Sequence, residues 1–264
     1  MAEQQLTTDA LWQQLQAQAA AQSDSEPMLS TYFHSSILNH GDFVSALSFH
    51  VAAMLDSPTV SGLMLNDVFT LLLADNPAMI DAAVADIAAY YDRDPACDNF
   101  VRPFLFYKGC IATQAHRFGH VLWNQGRRSL ALYLQNRVSV LWGVDIHPAA
   151  QLGRALMIDH ATGLVIGETA TVGDNVSVLQ GVTFGGTGCE SGKRHPDIGS
   201  GVMVGAGARI LGNIQVGEGV KVGAGSVVLE SVPAHVTVAG VPATIVGKPR
   251  EALPALSMDQ HLES

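Results

Sequence analysis

The sequence predicts an α+β protein: an α-helical N-terminal domain followed by a parallel β-helix of six-residue repeats. Two observations carry this. As far as about Leu141 the apolar residues recur at three- and four-residue spacing, the mark of a helix with one buried face; beyond Gly143 the spacing becomes six. The length, 264 residues of which 48% are hydrophobic, suits one large domain or two modest ones. The expected division is 1–143 for the helical domain, 144–247 for the β-helix with a loop at 185–197, and 248–264 for a C-terminal tail.

Taken in order, the start "MAEQQLTTDALWQQLQAQAAAQ" lacks a basic stretch followed by an apolar run and cleavage site. No later segment approaches about 18 uninterrupted apolar residues, so a cytoplasmic protein without membrane contact is expected. "FVSALSFHVAAML" and "DVFTLLLADNPAMIDAAVADIAAYYD" carry the helical pattern, with Asp67, Asn76 with Pro77, and Asn99 as helix-start signals. Gly126 is placed to separate two further helices, and Gly143 to end the second.

The six-residue series then runs through Ile146, Leu152, Ile158 and Leu164, slips by two residues, and resumes at Ile166, Val172, Val178 and Phe184. A second run follows at Ile198, Val204, Ile210, Val216, Val222 and Val228. Glycine directly follows the aliphatic residue at 153, 167, 173, 185, 199, 205, 217 and 223. One inward aliphatic side chain per short segment, with small residues where the backbone turns, predicts triangular coils of 18 residues stacked about 4.8 Å apart. "FGGTGCESGKRHPDIG" breaks the period and is rich in Gly, Ser, Lys and Pro; it reads as a loop leaving the prism over a site.

A formal net charge of −10 argues against a general nucleic-acid binder, although a few local cations can still hold a phosphate. Cys97, Cys110 and Cys189 follow no metal-ligand spacing and are expected as reduced thiols. The chemistry-bearing candidates cluster at the slip and the loop: Asp145 and His147, Asp159 and His160, Glu168, and Lys193, Arg194 and His195. Singly, each could cap a turn or face solvent. Their grouping argues for a site.

Several segments carry a closer likeness: "VDIHPAAQLGRALMIDHATGLVIGETA", "GVTFGGTG", "RHPDIG", "GVMVGAGARILGN" and "AGVPATIVGKP", with "DRDPACDNF" and "HVLWNQGRRSLALYLQNRVSV" in the helical half. The chain resembles the serine acetyltransferases of the hexapeptide-repeat superfamily, from about residue 28 to 250. The resemblance implies a left-handed prism, and an enzyme that makes O-acetyl-L-serine and CoA from L-serine and acetyl-CoA for cysteine biosynthesis, with no permanently bound cofactor. A serine hydroxyl is a weak nucleophile, so attack on a thioester needs a base; neutral imidazole, with a reference pKa of about 6.5, suits the task. His160 is the expected base. The resemblance assigns Asp145 the role of orienting that ring.

By the same resemblance Arg194 and His195 meet the substrate carboxylate, and Asp94 and Asp159 face its amino group and hydroxyl; Glu168 is divided between the site and a corner role. Gly186, Ala206 and Ala224 are small enough for a pantetheine arm, and Lys221, Lys248 or Arg250 would meet phosphates. The oxyanion donor is expected among backbone N–H groups near Gly186. The family further implies a homo-oligomer, a hexamer formed as a dimer of trimers through the helical half, and feedback inhibition by L-cysteine. The family often binds O-acetylserine sulfhydrylase through a tail ending in isoleucine; the sequence here stops at "SMDQHLES" with Ser264, a departure that puts this partner in doubt.

Three readings compete. His147, His160 and His195 match in number the zinc ligands of some β-helical carbonic anhydrases, but Pro follows two of them and the acetyltransferase motifs match more fully, so no metal is expected. A covalent route would use Cys110 or Cys189; the first falls in a helical apolar pattern and the second on the loop. A binding scaffold or sugar-directed acyltransferase shares the same fold, because fold does not fix the acceptor.

Overall fold

The computed structural model describes residues 6–188 and 191–262. They form two compact units, which meet in sequence between Tyr107 and Lys108. The first holds α1 (Thr8–Ser25), α2 (Ser30–Phe33), α3 (Phe43–Met54), α4 (Gly62–Asp75), α5 (Pro77–Arg93) and α6 (Val101–Leu105). Side-chain oxygens open three of these helices, Thr7 accepting from the backbone N–H of Ala10, Asp42 from Ser45 and Ser61 from Met64. Asp67 therefore lies inside α4 rather than at its start, because the apolar "GLML" before it extends the helix back to Ser61. Pro77 begins α5 as expected, and Asn99 Oδ1 accepts from the Arg102 N–H at 3.1 Å beside α6. The core of this unit is built on Leu11, Leu15, Phe43, Phe69, Ile87 and Tyr90, none more than 1% exposed.

The second unit opens with α7 (Lys108–Asn124) and α8 (Arg128–Trp142). Gly126 turns the chain between them at φ +79°, and Gly143 ends α8 at φ +66°, a left-handed conformation that costs glycine little. The units divide ahead of the change in period, so α7 and α8 go with the strands rather than with the preceding helices. Polar contacts give the reason: Arg117 Nη2 donates to the Gly153 carbonyl at 2.7 Å, and His120 Nδ1 lies 2.8 Å from the Pro148 carbonyl.

From Val144 the chain winds as a parallel β-solenoid of about five coils. One face stacks β1 (Val144–Ile146), β4 (Leu164–Ile166), β7 (Thr183–Gly185), β10 (Arg209–Leu211) and β13 (Val227–Val228). The second stacks β2 (Gln151–Leu152), β5 (Thr171–Val172), β8 (Asp197–Ile198) and β11 (Gln215–Val216). The third stacks β3 (Met157–Ile158), β6 (Ser177–Val178), β9 (Met203–Val204) and β12 (Lys221–Val222), and continues into β14 (Thr237–Gly240) and β15 (Ala243–Gly247). β15 returns antiparallel to β14, a hairpin the repeat pattern did not announce.

The register shows how the repeat is interrupted. Ile146 pairs with Ile166, and Ile158 with Val178, so the two-residue slip is real and lies between the first and second coils. Phe184 pairs with Ile210 and Val178 with Val204, which places the longer insertion at the corner between β7 and β8. On either side partners return to the regular interval, as in Ile166 with Phe184 and Ile210 with Val228.

The expected inward series is buried: Ile146, Ile158, Ile166, Val172, Val178, Phe184, Ile198, Val204, Ile210, Val216, Val222 and Val228 are each at most 6% exposed. At about 1.5–3 kcal/mol for each large apolar side chain, these ladders supply the main stabilisation of the coils. A second buried series, two residues earlier, includes Val176, Val182, Val202, Ala208 and Val220, because side chains two apart on an extended segment share a face. Leu152 is only half-buried: β2 is the end strand of its face and has a neighbour on one side alone.

The tail lies on the solenoid. α9 (Pro254–Ser257) packs Ala255 against Leu179 and Met203, and Ser177 Oγ donates to the Ala255 carbonyl at 2.9 Å. Among the described residues no single helix is long and apolar enough to cross a membrane.

Candidate active site

The slip between the first two coils falls on the corner joining β3 to β4, where Asp159 and His160 sit. His160 has φ +55° and Ala161 φ +58°, two consecutive non-glycine residues in the left-handed region. Such conformations cost energy and persist only where the surroundings enforce them. Here Ala161 N–H donates to the Asp159 carbonyl at 2.6 Å, Thr162 N–H to the His160 carbonyl at 2.7 Å, and Lys108 Nζ to Thr162 Oγ1. The His160 side chain is 73% exposed, with its Nε2 3.7 Å from Asp159 Oδ2. The corner thus presents an exposed imidazole with a carboxylate beside it.

Asp145 departs from the expected pairing. It lies on β1 opposite Val165, and its Oδ1 accepts from Nε2 of Gln135 on α8 at 2.6 Å. Among the described residues no hydrogen bond or ion pair joins Asp145 to His160; Gln135 bonds the one carboxylate and Asp159 flanks the imidazole. Gln135 carries no local signal in the sequence.

The loop between β7 and β8 folds back on the corner that follows β4. Arg194 Nη2 bonds Glu168 Oε2 at 2.6 Å, and the guanidinium holds the Glu168 carboxyl below its usual range. Glu168 therefore holds the arginine against this corner. Lys193 Nζ donates to the Thr169 carbonyl and to Asp197 Oδ1, each at 2.5 Å. Burial would raise the Asp197 carboxyl, but hydrogen bonds from Lys193 and Thr171 outweigh it and hold the group below its ordinary value.

His195 is 8% exposed and hangs on Thr169, a residue sequence reasoning passed over. Thr169 Oγ1 lies 2.9 Å from His195 Nδ1, and the Thr169 N–H donates to that same nitrogen at 3.2 Å. Burial, then the Arg194 charge, pushes the His195 pKa down. The ring packs over Gly167, where a Cβ would stand 2.1 Å from its Cδ2 and Nε2. Only a residue without a side chain fits beneath it. His147 is half-buried nearby, its Nδ1 accepting from Ala149 N–H at 3.1 Å, and burial lowers its pKa.

Of the residues expected along a cofactor groove, Gly186 lies against the loop, a Cβ there meeting the Arg194 carbonyl at 3.3 Å. Ala206 packs beside Leu179, Met203, Ala255 and Met258, whereas Ala224, Lys248 and Arg250 are exposed. Lys221 does not match its expected part as a phosphate ligand. It is 5% exposed, and its Nζ donates to the His261 carbonyl at 2.5 Å and stands 3.7 Å from Asp259 Oδ2, so the tail occupies its charge. Asp94 belongs to the first unit, where it ends α5 and accepts from the Ala96 N–H at 2.8 Å.

Among the described residues no group of three or more His, Cys, Asp or Glu side chains converges in a way that could hold a metal ion, so His147, His160 and His195 form no such set. Cys97 and Cys110 are buried thiols not joined in a disulfide. Cys189 and Ser264 lie outside the described residues.

Comparison with known proteins bears on this geometry. The family profile described as "Serine acetyltransferase, N-terminal" matches residues 11–115, and that of the bacterial transferase hexapeptide matches residues 195–230. A serine acetyltransferase of Salmonella typhimurium is 54% identical over 251 residues, 95% of this chain and 92% of that protein. A solved serine acetyltransferase in complex with cysteine superposes with a TM-score of 0.95 at 49% identity, covering 97% of this chain and 100% of the other. The enzyme of Brucella abortus strain S19 in complex with coenzyme A gives 0.89 at 51% identity, covering 90% and 95%. The corner bearing His160 and the loop bearing Arg194 and His195 thus belong to a chain that resembles these proteins over nearly its whole length, and the chain belongs to the serine acetyltransferase family.

Proposed function

We propose that the protein transfers the acetyl group of acetyl-CoA to the hydroxyl of L-serine, giving O-acetyl-L-serine and CoA, by direct attack. The observation that carries the reading is the strained corner that exposes His160 with Asp159 beside its Nε2. His160 accepts the serine proton as the hydroxyl oxygen bonds to the thioester carbonyl carbon; the C–S bond then breaks, and the imidazolium returns the proton to the departing sulfur. Asp159 offsets the positive charge in between. Asp145, steadied by Gln135, is the second carboxylate in this reading and orients the imidazole once substrate turns it inward.

Arg194, aimed by Glu168, and His195 receive the serine carboxylate, and Asp159 its amino group and hydroxyl. Acetyl-CoA lies along Gly186, Ala206 and Ala224 with Lys248 toward its phosphates, a reading supported by the relative that binds coenzyme A. L-Cysteine, which differs from serine in one atom, competes for the serine site, in keeping with the relative solved with cysteine. Exposed Val140, Leu141 and Val165 in the second unit, and Leu63, Met64 and Leu71 in the first, are apolar surfaces suited to a homo-oligomer.

Thiol release from acetyl-CoA, measured with L-serine, with an amino sugar and with no acceptor, tests the function. Release that requires L-serine is expected; release with the sugar alone overturns the acceptor. An acetyl-enzyme trapped without serine would replace direct attack by a covalent route.

A further inference from the structure

We propose that Thr169 is a positioning residue that fixes His195 as a hydrogen-bond donor toward the carboxylate of the acceptor. The proposal rests on the reading above, in which Arg194 and His195 receive that carboxylate. It follows from counting donors and acceptors at one hydroxyl. Thr169 Oγ1 accepts from the backbone N–H of Arg194 at 3.0 Å and from that of His195 at 3.1 Å. Those two bonds use both lone pairs of a threonine hydroxyl, which leaves its single hydrogen to donate. The acceptor within reach is His195 Nδ1 at 2.9 Å.

The Thr169 backbone N–H donates to the same Nδ1 at 3.2 Å. A ring nitrogen that receives hydrogen bonds carries no proton, so the neutral imidazole holds its proton on Nε2. That nitrogen stands between Gly167 and Gly186, 2.1 Å and 3.7 Å from where their Cβ atoms would be, so no side chain on either residue covers it. Protonation of Nδ1 would set an N–H against two donors. The charged groups around the ring are Arg194 and Lys193, which oppose a second proton, Glu168, which favours it, and His147, which opposes it when charged. Together with burial they keep the ring neutral below the ordinary histidine range.

The same residue also carries the neighbouring loop positions, since its carbonyl accepts from Lys193 Nζ. Three consecutive loop residues, Lys193, Arg194 and His195, are thereby registered on Thr169. A threonine at this corner acts as the template that gives the carboxylate-binding pair both its position and the polarity of its second member.

Thr169→Val deletes the hydroxyl and keeps the backbone N–H and the volume; Thr169→Ser keeps the hydroxyl. Thr169→Ala provides a second deletion with less crowding. Steady-state thiol release is measured from pH 6 to 8.5 at saturating acetyl-CoA, beside a thermal melt. The deletion variants are expected to raise the KM for L-serine about tenfold or more, the weight of a hydrogen bond to a charged group, with kcat and the KM for acetyl-CoA little changed. The ratio of variant to parent serine KM should fall as pH drops toward 6 because the released His195 ring becomes protonated and attracts carboxylate as a cation. Thr169→Ser should restore parental behaviour. An unchanged serine KM in the deletion variants overturns the proposal while leaving the parent's activity intact, as does a uniform loss of kcat and stability with no pH-dependent ratio. A parent without serine-dependent release overturns the underlying function and this proposal with it.

Discussion

Replacing Gly167 with alanine puts a methyl group where the His195 ring lies. The new Cβ would stand 2.1 Å from Cδ2 and Nε2 and 2.7 Å from Cε1, whereas ordinary contact begins at 3.4 Å. The ring must withdraw by at least the difference of 3.4 and 2.1, about 1.3 Å. Its bonds to Thr169, at 2.9 and 3.2 Å, have no slack for such a move, so the imidazole loses its anchor. The backbone at Gly167 is not in the left-handed region, and alanine can adopt it without strain. The damage is therefore confined to a side chain that can rotate away. A displacement of about 1 Å in a positioning group can cost up to about 100-fold. The expected result is a serine KM raised about 10- to 100-fold, an acetyl-CoA KM near the parental value, and a thermal midpoint within a few degrees. A variant with parental serine KM would refute the placement of His195 in substrate binding.

Further outcomes follow from other residues. His160→Ala should lower kcat by about 10²–10⁴ with the melt and the elution volume of the parent preserved, as read by thiol release, thermal denaturation and size-exclusion chromatography. Phe184→Ala removes a fully buried ring stacked between Ile166 and Ile210, and should cost about 3–5 kcal/mol in urea denaturation. The Glu168 carboxyl is held below its ordinary value, so its contribution to stability is complete above about pH 4.5 and is lost as pH falls through the lowered value; Glu168→Gln should show a shallower loss of urea midpoint over that acid range. His50 is buried against Phe104 with Nε2 unpartnered among the described residues, and burial lowers its pKa to about 4. The unfolded chain takes up that proton first, so stability is full above about pH 6.5 and declines toward pH 4; in His50→Leu that decline should be reduced.

What the sequence disclosed is what depends on short-range periodicity. The six-residue series located the ladder from Ile146 to Val228, and its two breaks correspond to real changes of register, at Ile146 with Ile166 and at Phe184 with Ile210. Gly126 and Gly143 marked helix ends because a left-handed turn leaves a local trace. The choice among polar partners leaves none. Thr169 meets its partners 25 and 26 residues away, and Gln135 meets Asp145 from a helix on another element. A threonine after Glu168 looks like any turn residue until the loop returns to it. Likewise, nothing in the spacing of Lys221 tells that the chain near His261 comes back to cover it. The grouping of α7 and α8 with the coils depends on contacts such as Arg117 with Gly153, and period alone cannot say which neighbour a helix prefers.

The inserted segment at the β7–β8 corner enters and leaves without disturbing the coils on either side: Ile166 with Phe184, and Ile210 with Val228, keep one common interval. In the proposed reading, coil architecture and acceptor binding are therefore severable here. Excising the excursion and joining its ends by a corner of standard length should yield a well-folded but inert prism, a blank on which other acceptor-binding loops can be mounted.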